Sequence, residues 1–216
     1  MGFLANRLQF RILRNARDYS FIDKIGSLTN AFISFLPNTE LRRSGEYSAL
    51  IITNNVYNFE SQITPTEINL TMKLNQHFPS DDFSSTLDSI YDLSEKLIGT
   101  IKSNLGLPTD LKSSICLFDG IFDEYDDAKY IDILNGAFNN NIFEIKTEEA
   151  KQLVYIWRVD LKEYFISISN EDGVKRLIYA IQDFGVSSIS FLNIRTLIDL
   201  CLKEFENNLL VKFNEE

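Results

Sequence analysis

The sequence is poor in the residues on which most catalytic and metal sites depend. Its 216 residues include one histidine, His77, only two cysteines, Cys116 and Cys201, and nine glycines. These three side chains have no zinc-ligand spacing. No Gly-x-Ser-x-Gly nucleophile elbow and no glycine-rich phosphate loop of either common pattern occurs in the chain. The residues therefore predict no metal site and no cofactor.

Long apolar runs are also lacking. The longest stretch without a charged residue, residues 25–39, is 15 residues long, and a membrane-spanning helix needs about 18 to 20 predominantly apolar residues. Arginines interrupt the region where a secretory signal would have its apolar core. Both cysteines lie in apolar runs, which is typical of buried free thiols in a reducing compartment. We therefore expect no membrane contact and a cytoplasmic location, in the virion or host cytoplasm if a phage encodes the protein.

The composition is biased toward residues with A/T-rich codons. There are 25 isoleucines, 19 asparagines and 17 phenylalanines, against eight alanines and four prolines. This bias is typical of a low-GC genome, such as that of a bacterium, a phage or another virus.

Charge is distributed unevenly along the chain. The net charge is −10, which disfavours non-specific binding to nucleic acid or to anionic lipid. Residues 1–45 carry seven basic and three acidic groups, whereas residues 46–216 carry 14 basic and 28 acidic groups. We therefore divide the chain into a basic N-terminal helical segment, 1–45, and an acidic α+β body, 46–216. The two parts can also belong to one continuous domain. The basic segment is expected to contact a partner, another copy of the chain or its own acidic body.

The first segment has the spacing of an amphipathic helix over residues 3–19. Its apolar positions recur at steps of four, four and three residues, at Leu8, Ile12, Ala16 and Tyr19. A neighbouring stripe of four arginines follows nearly the same steps: Arg7, Arg11, Arg14 and Arg17. Because guanidinium groups form paired hydrogen bonds with carboxylates and phosphates, this stripe is a candidate partner-binding surface.

The rest of the chain alternates between helical and strand patterns. A second helical stretch covers 21–36, a three-stranded antiparallel meander covers 46–78, and a long helix begins at 79–81 and ends before Gly106. Residues 113–118 favour a short strand, 147–169 a short helix or turn followed by two strands, 171–184 a helix, and residues after Ser187 or Ser188 the last helix, with a final strand over 209–213. The predicted fold class is α+β, with N-terminal helices, a small antiparallel meander and a mainly helical C-terminal part with a few strands.

An acidic cluster falls on a predicted helix that begins near Phe118. Its members are Asp119, Asp123, Glu124, Asp126 and Asp127. Carboxylates at i and i+4 can share Mg²⁺ or Ca²⁺, but the spacing does not match an EF-hand loop. A solvated helix face explains the pattern most simply, and a patch for a protein partner is the next explanation.

These observations favour a non-catalytic protein-binding function. The chain is expected to be a subunit of a multicomponent assembly or an inhibitor or immunity-type protein, with the arginine stripe and the acidic cluster as contact surfaces, and a homo-oligomer is compatible with them. Two alternatives come from other classes: a metal-dependent hydrolase or nuclease that uses carboxylates such as Asp119 and Asp123, and nucleic-acid binding through the N-terminal arginine helix alone.

Overall fold

In the residues that it describes, the computed structural model has one nine-stranded antiparallel sheet and three α-helices. It describes residues 3–19, 21–44, 49–105, 110–122, 152–171, 174–186 and 190–207. The strands are β1 (Phe3–Arg14), β2 (Thr39–Ser44), β3 (Ala49–Asn54), β4 (Phe59–Ile63), β5 (Glu67–Phe78), β6 (Leu111–Phe122), β7 (Gln152–Val159), β8 (Lys162–Glu171) and β9 (Val174–Asp183). The helices are α1 (Ile25–Phe35), preceded by a 3-10 turn at Ile22–Lys24, α2 (Asp81–Leu105) and α3 (Phe191–Phe205).

The strand order is β2-β3-β4-β5-β1-β6-β9-β8-β7, so β1 lies at the centre of the sheet. Both β5 and β6 pair antiparallel with β1 and are therefore parallel to each other. Helix α2 connects them, which makes a split β-α-β unit. The first 45 residues thus contribute two strands, β1 and β2, to the same sheet as the acidic remainder.

All three helices pack on one face of the sheet, where the core is rich in phenylalanine. Phe205 of α3 is fully buried, and its ring centroid lies 4.8 Å from that of Phe3 and 5.0 Å from that of Phe118. Phe78 at the end of β5 and Phe83 in the first turn of α2 complete the cluster. Inclined and edge-to-face ring pairs of this kind contribute beyond their buried area, so the cluster holds two helices on the central strands.

The predicted fold class is wrong in its balance and at its N-terminus. Residues 3–14, expected to form an arginine-edged helix, form β1, in which Leu8, Phe10 and Ile12 are buried on the helix side. A spacing of four residues places side chains on one side of a helix, because four residues are close to one helical turn. It also places them on one side of a strand, because strand side chains alternate and every second residue points the same way. The alternation at positions 8, 10 and 12 is the strand signal.

The C-terminal part is also not mainly helical. Residues 171–184 were expected to form a helix, but they include β9, where Leu177, Tyr179 and Ile181 are buried in alternation. The helix expected to begin near Phe118 is wrong over its first residues, because β6 continues to Phe122. Most of that expected helix and the final strand over 209–213 lie outside the described residues.

Other predicted elements are confirmed with adjusted boundaries. The second helical stretch contains α1, the meander is formed by β3, β4 and β5, and the long helix is α2. Two strands, β7 and β8, occupy most of 152–169. The last helix is capped by Ser190 rather than Ser187 or Ser188: its hydroxyl accepts a hydrogen bond from the backbone N–H of Asn193 at 3.2 Å.

Gly120 in β6 is required by a close approach of two strands. A Cβ atom there would lie 2.5 Å from the Cζ of Phe3 and closer still to the carbonyl oxygen of Leu4. We expect Gly120→Ala to lower the free energy of unfolding by about 1–3 kcal/mol, because backbone atoms must shift to admit the methyl group. Gly99→Ala in α2 is the control, because a Cβ there meets nothing within 4 Å and helix propensity favours alanine by roughly 0.5–1 kcal/mol. Urea unfolding of both variants measures the contrast, and equal effects would contradict this account.

The two cysteines are free and buried, as their apolar neighbours predict. Cys201 of α3 faces β6, where its thiol lies 3.8 Å from the carbonyl oxygen of Cys116. Burial raises the pKa of the Cys201 thiol. Burial also raises the pKa of Tyr179 and of Tyr91, whose hydroxyl donates to the Asp199 carboxylate between α2 and α3.

These raised pKa values predict a loss of stability at alkaline pH. The unfolded chain ionises its cysteines and tyrosines between about pH 8.5 and 10, whereas the folded chain keeps the groups at Cys201, Tyr91 and Tyr179 neutral to higher pH. Their contribution is fully present below that range and is lost as pH rises through the folded-state pKa values. We expect the free energy of unfolding to fall above about pH 9. In the Tyr179→Phe variant, this free energy should fall less steeply above about pH 10. Urea titrations across pH test this, and a flat profile to about pH 10.5 would contradict it.

Candidate functional site

The face of the sheet opposite the helices, here called the far face, brings together three of the charged residues singled out in the sequence: Arg7, Arg11 and Asp119. Arg7, Gln9 and Arg11 of β1 point to it, because their neighbours Leu8, Phe10 and Ile12 are buried on the helix side. In the described part of the chain, no helix packs on this face. The register of β6, β9, β8 and β7 then determines which side chains lie beside these three.

Asp119 is held between two arginines on the far face. Its Oδ2 lies 2.5 Å from Nη2 of Arg7 and 3.0 Å from Nη2 of Arg176 on β9. The Asp119 side chain is only 1% exposed, against 33% for Arg7 and 47% for Arg176. A carboxylate this deeply buried requires opposite charge to compensate for its lost hydration. The two guanidinium groups supply it and keep outward-facing edges in contact with solvent.

Arg11 makes a second ion pair on the same face, with Nη2 lying 2.5 Å from Oε2 of Glu67 on β5. Between the two ion pairs, the amide of Gln9 donates to Asn69 at 3.2 Å and to Thr71 at 3.1 Å. The middle of the far face is therefore a connected polar surface. It contains two carboxylates, Asp119 and Glu67, against the three guanidinium groups named here the arginine cluster: Arg7, Arg11 and Arg176.

The other two arginines of the expected stripe lie elsewhere. Arg14 is buried and pairs with Asp18 at 2.8 Å. Burial lowers the pKa of Arg14, and the Asp18 carboxylate opposes this shift. Arg17 is exposed and lines a shallow cleft of about 460 Å³ with Tyr19 and Glu67. The structure thus brings Arg7 and Arg11 to one face and separates Arg14 from them, because three residues along a strand reverse the direction of the side chain.

An apolar patch borders the arginine cluster toward the sheet edge formed by β7. Leu117, Ala180, Phe165 and Ile156 make one lateral row across β6, β9, β8 and β7. Ile178 and Val154 lie in the neighbouring row. Toward the edge the patch is exposed, with 55% of Ile156 and 47% of Val154 accessible. Apolar side chains surrounded by charged ones are typical of protein-binding surfaces.

Of the acidic cluster, only Asp119 lies among the described residues. Asp123, Glu124, Asp126 and Asp127 fall outside them. Within the described ranges, no group of three or more His, Cys, Asp or Glu side chains is arranged to hold a metal ion. Asp119 itself is paired with two cations, which disfavours a metal ion at that carboxylate.

Neither protein-family models nor curated proteins identify a relative of this chain. No protein-family model matches the chain. No curated protein is significantly similar to it in sequence. Among the described helices, none combines the length and the apolar character that a membrane span requires. The surface chemistry of the far face is therefore the basis for a functional proposal.

Sequence reasoning missed Arg176 and the apolar patch. Arg176 lies on β9, where the sequence pattern predicts a helix, and most of the patch lies on β7, β8 and β9. The available signal was the alternation of Arg176, Ile178 and Ala180 with the buried Leu177, Tyr179 and Ile181. Two further strands over 152–171 gave β9 partners to pair with, and so favoured a strand there.

Proposed function

We propose that this chain is a non-catalytic protein-binding protein that uses the far face to bind a protein with an acidic surface. The observation that carries the proposal is the exposed apolar patch beside an arginine cluster with more cations than carboxylates. On a chain of net charge −10, a local excess of positive charge provides complementarity to carboxylates of a partner.

The arrangement fits the anatomy of a protein interface. Ile156 and Val154 offer apolar contact area, and Arg7 and Arg176 offer guanidinium edges that Asp119 holds in fixed orientation. Arginines held in this way lose less side-chain freedom when they bind a carboxylate. A subunit of an assembly and an inhibitor of another protein both use such a surface, and a second copy of this acidic chain is one protein of the required charge.

Site-specific crosslinking tests the proposal. A photoreactive residue replaces Val154 in the tagged full-length chain, which is expressed in the organism that encodes it. We expect one stoichiometric crosslinked protein, identified by mass spectrometry, and loss of that product when Ile156→Asp is added. Ile33→Asp is the matched control, because Ile33 is an isoleucine on α1 with 48% exposure, far from the patch in the sheet order.

Purified components then decide the outcome. The crosslinked protein mixed with this chain should form a complex by native mass spectrometry that weakens when Arg176→Glu is introduced. The proposal fails if position 154 yields no product above that from a photoreactive residue at exposed Ser85 on α2. It also fails if Ile156→Asp and Ile33→Asp have equal effects.

A further inference from the structure

A cleft of about 340 Å³ lies on the helix side of the sheet, at the opposite surface from the proposed protein-binding face. Its floor is formed by the ends of β6, β8 and β9, and its roof by the first three turns of α3. The short segment after β9, with Gly185 and Val186, closes one side. A cavity of this volume falls within the range that holds small molecules, about 300–1,000 Å³.

Three polar side chains form one row across the floor of this cleft. Ser114 of β6 is the cross-strand neighbour of Asp183 on β9, and Asp183 is the neighbour of Lys162 on β8. Adjacent strands are about 4.8 Å apart, so the row places a hydroxyl, a carboxylate and an ammonium group at successive strand spacings. All three residues line the cavity.

The two charged side chains in this row do not form an ion pair. Lys162 and Asp183 are direct neighbours, yet the described structure contains no ion pair between them and none to any other residue. The Asp183 Oδ1 accepts the backbone N–H of Gly185 at 2.8 Å, and this is the only side-chain hydrogen bond of the pair there. Opposite charges on adjacent strands ordinarily form a stabilising pair. Their separation leaves one cationic and one anionic group facing the same cavity.

Ser114 lies at the other end of the same row. The residue is only 5% exposed and lines the cavity, and in the part of the chain that the structure describes its hydroxyl makes no hydrogen bond to another residue. The hydroxyl can therefore donate or accept a hydrogen bond with a ligand in the cleft.

The roof of the cleft is apolar near this row. Leu197 is 4% exposed, and Leu200 and Val186 are half-buried beside it. An aliphatic group bound here would be removed from water, at about 25 cal/mol per Å² of apolar surface. The ligand thus needs an apolar part as well as two opposite charges.

We propose that the cleft binds a small zwitterion of the apolar α-amino-acid type. Its carboxylate pairs with the Lys162 ammonium group, its ammonium group lies between the Asp183 carboxylate and the Ser114 hydroxyl, and its aliphatic side chain packs under Leu197 and Leu200. The order of groups along the row matches the order of charges in such a ligand. This site does not depend on the protein-binding function of the far face.

Three probes that differ in one charged group test the assignment. Leucine carries both charges, 4-methylpentanoate lacks the ammonium group, and 3-methylbutylamine lacks the carboxylate. We expect saturable binding of leucine to the full chain by calorimetry or by NMR shifts, with a Kd in the millimolar range or tighter, and binding of each analogue weaker by about tenfold or more. If neither leucine nor any other standard amino acid binds saturably at about 10 mM, the proposal is overturned.

Variants connect the binding to the named groups. We expect Lys162→Met and Asp183→Asn each to weaken leucine binding about tenfold, and Ser114→Ala to weaken it severalfold. Lys203→Met is the matched control, since Lys203 is exposed on α3 and does not line the cleft. Wild-type affinity in Lys162→Met, or equal losses in Lys203→Met, would overturn the assignment. Because the three-probe comparison uses the unmodified chain, it decides the question even if a variant does not fold.

Discussion

Replacing Arg7 and Arg176 together by methionine is expected to lower the free energy of unfolding by about 3–5 kcal/mol. The double variant leaves Asp119, which is 1% exposed, in the sheet without either of its cationic partners. A buried carboxylate without a cationic partner is destabilising, because no electrostatic attraction offsets the free energy lost when it is removed from water. Urea unfolding monitored by circular dichroism measures the loss.

Two further variants separate this explanation from a general effect of removing arginines. Arg42→Met with Arg43→Met removes two exposed arginines from β2 and should change stability by no more than about 0.5 kcal/mol. Adding Asp119→Leu to the Arg7 and Arg176 double variant should recover much of the loss, because apolar replacement of a whole buried ionic group is often neutral. A triple variant no more stable than the double would contradict the role given to Asp119.

Phe205→Ala is expected to cost about 3–5 kcal/mol, because it removes a fully buried ring from the centre of the aromatic cluster. Phe205 contacts Phe3, Phe78 and Phe118. It therefore joins the last helix to three strands that are far apart in the sequence. The cavity left by its removal would lie between α3 and the sheet.

Leu192→Ala on the same helix is the control for this prediction. Leu192 is 69% exposed, and its truncation should cost less than about 0.5 kcal/mol. The loss of stability in Phe205→Leu should lie between those of Phe205→Ala and Leu192→Ala, since leucine retains most of the apolar volume. The three variants are compared by their urea midpoints at constant slope. Similar losses for Phe205→Ala and Leu192→Ala would show that Phe205 does not anchor the helix.

Local pattern identified elements best where one periodicity held over a long stretch. Helix α2 repeats its apolar residues at threes and fours through 25 residues, and β5 alternates through Ile68, Leu70 and Met72. By contrast, β1 contains a bulge near Asn6, where the pairing register shifts between Ala5 and Arg7. The shift breaks the alternation at the start of the strand, and the remaining four-residue spacings fit a helix equally well.

The candidate site was only partly predictable for a similar reason. Arg7, Arg11 and Asp119 stand out in the sequence as members of charged runs, and the structure pairs Arg7 with Asp119. No local pattern indicates that Arg176 joins them. That contact depends on the pairing of β6 with β9, which brings together residues 57 positions apart.

The sequence by itself determined the scarcity of catalytic motifs, the charge distribution, the long helix and the antiparallel meander, because each depends on composition or on short-range periodicity. Only the tertiary structure decided that the N-terminal segment is the central strand and that one face carries both arginines and an apolar patch. It alone placed Ser114, Asp183 and Lys162 in one row under α3. The physical reason is that strand pairing joins distant segments through backbone hydrogen bonds, which any residue except proline can donate and accept. Register therefore depends on the whole set of strands competing for partners, and this information is not present in any single segment.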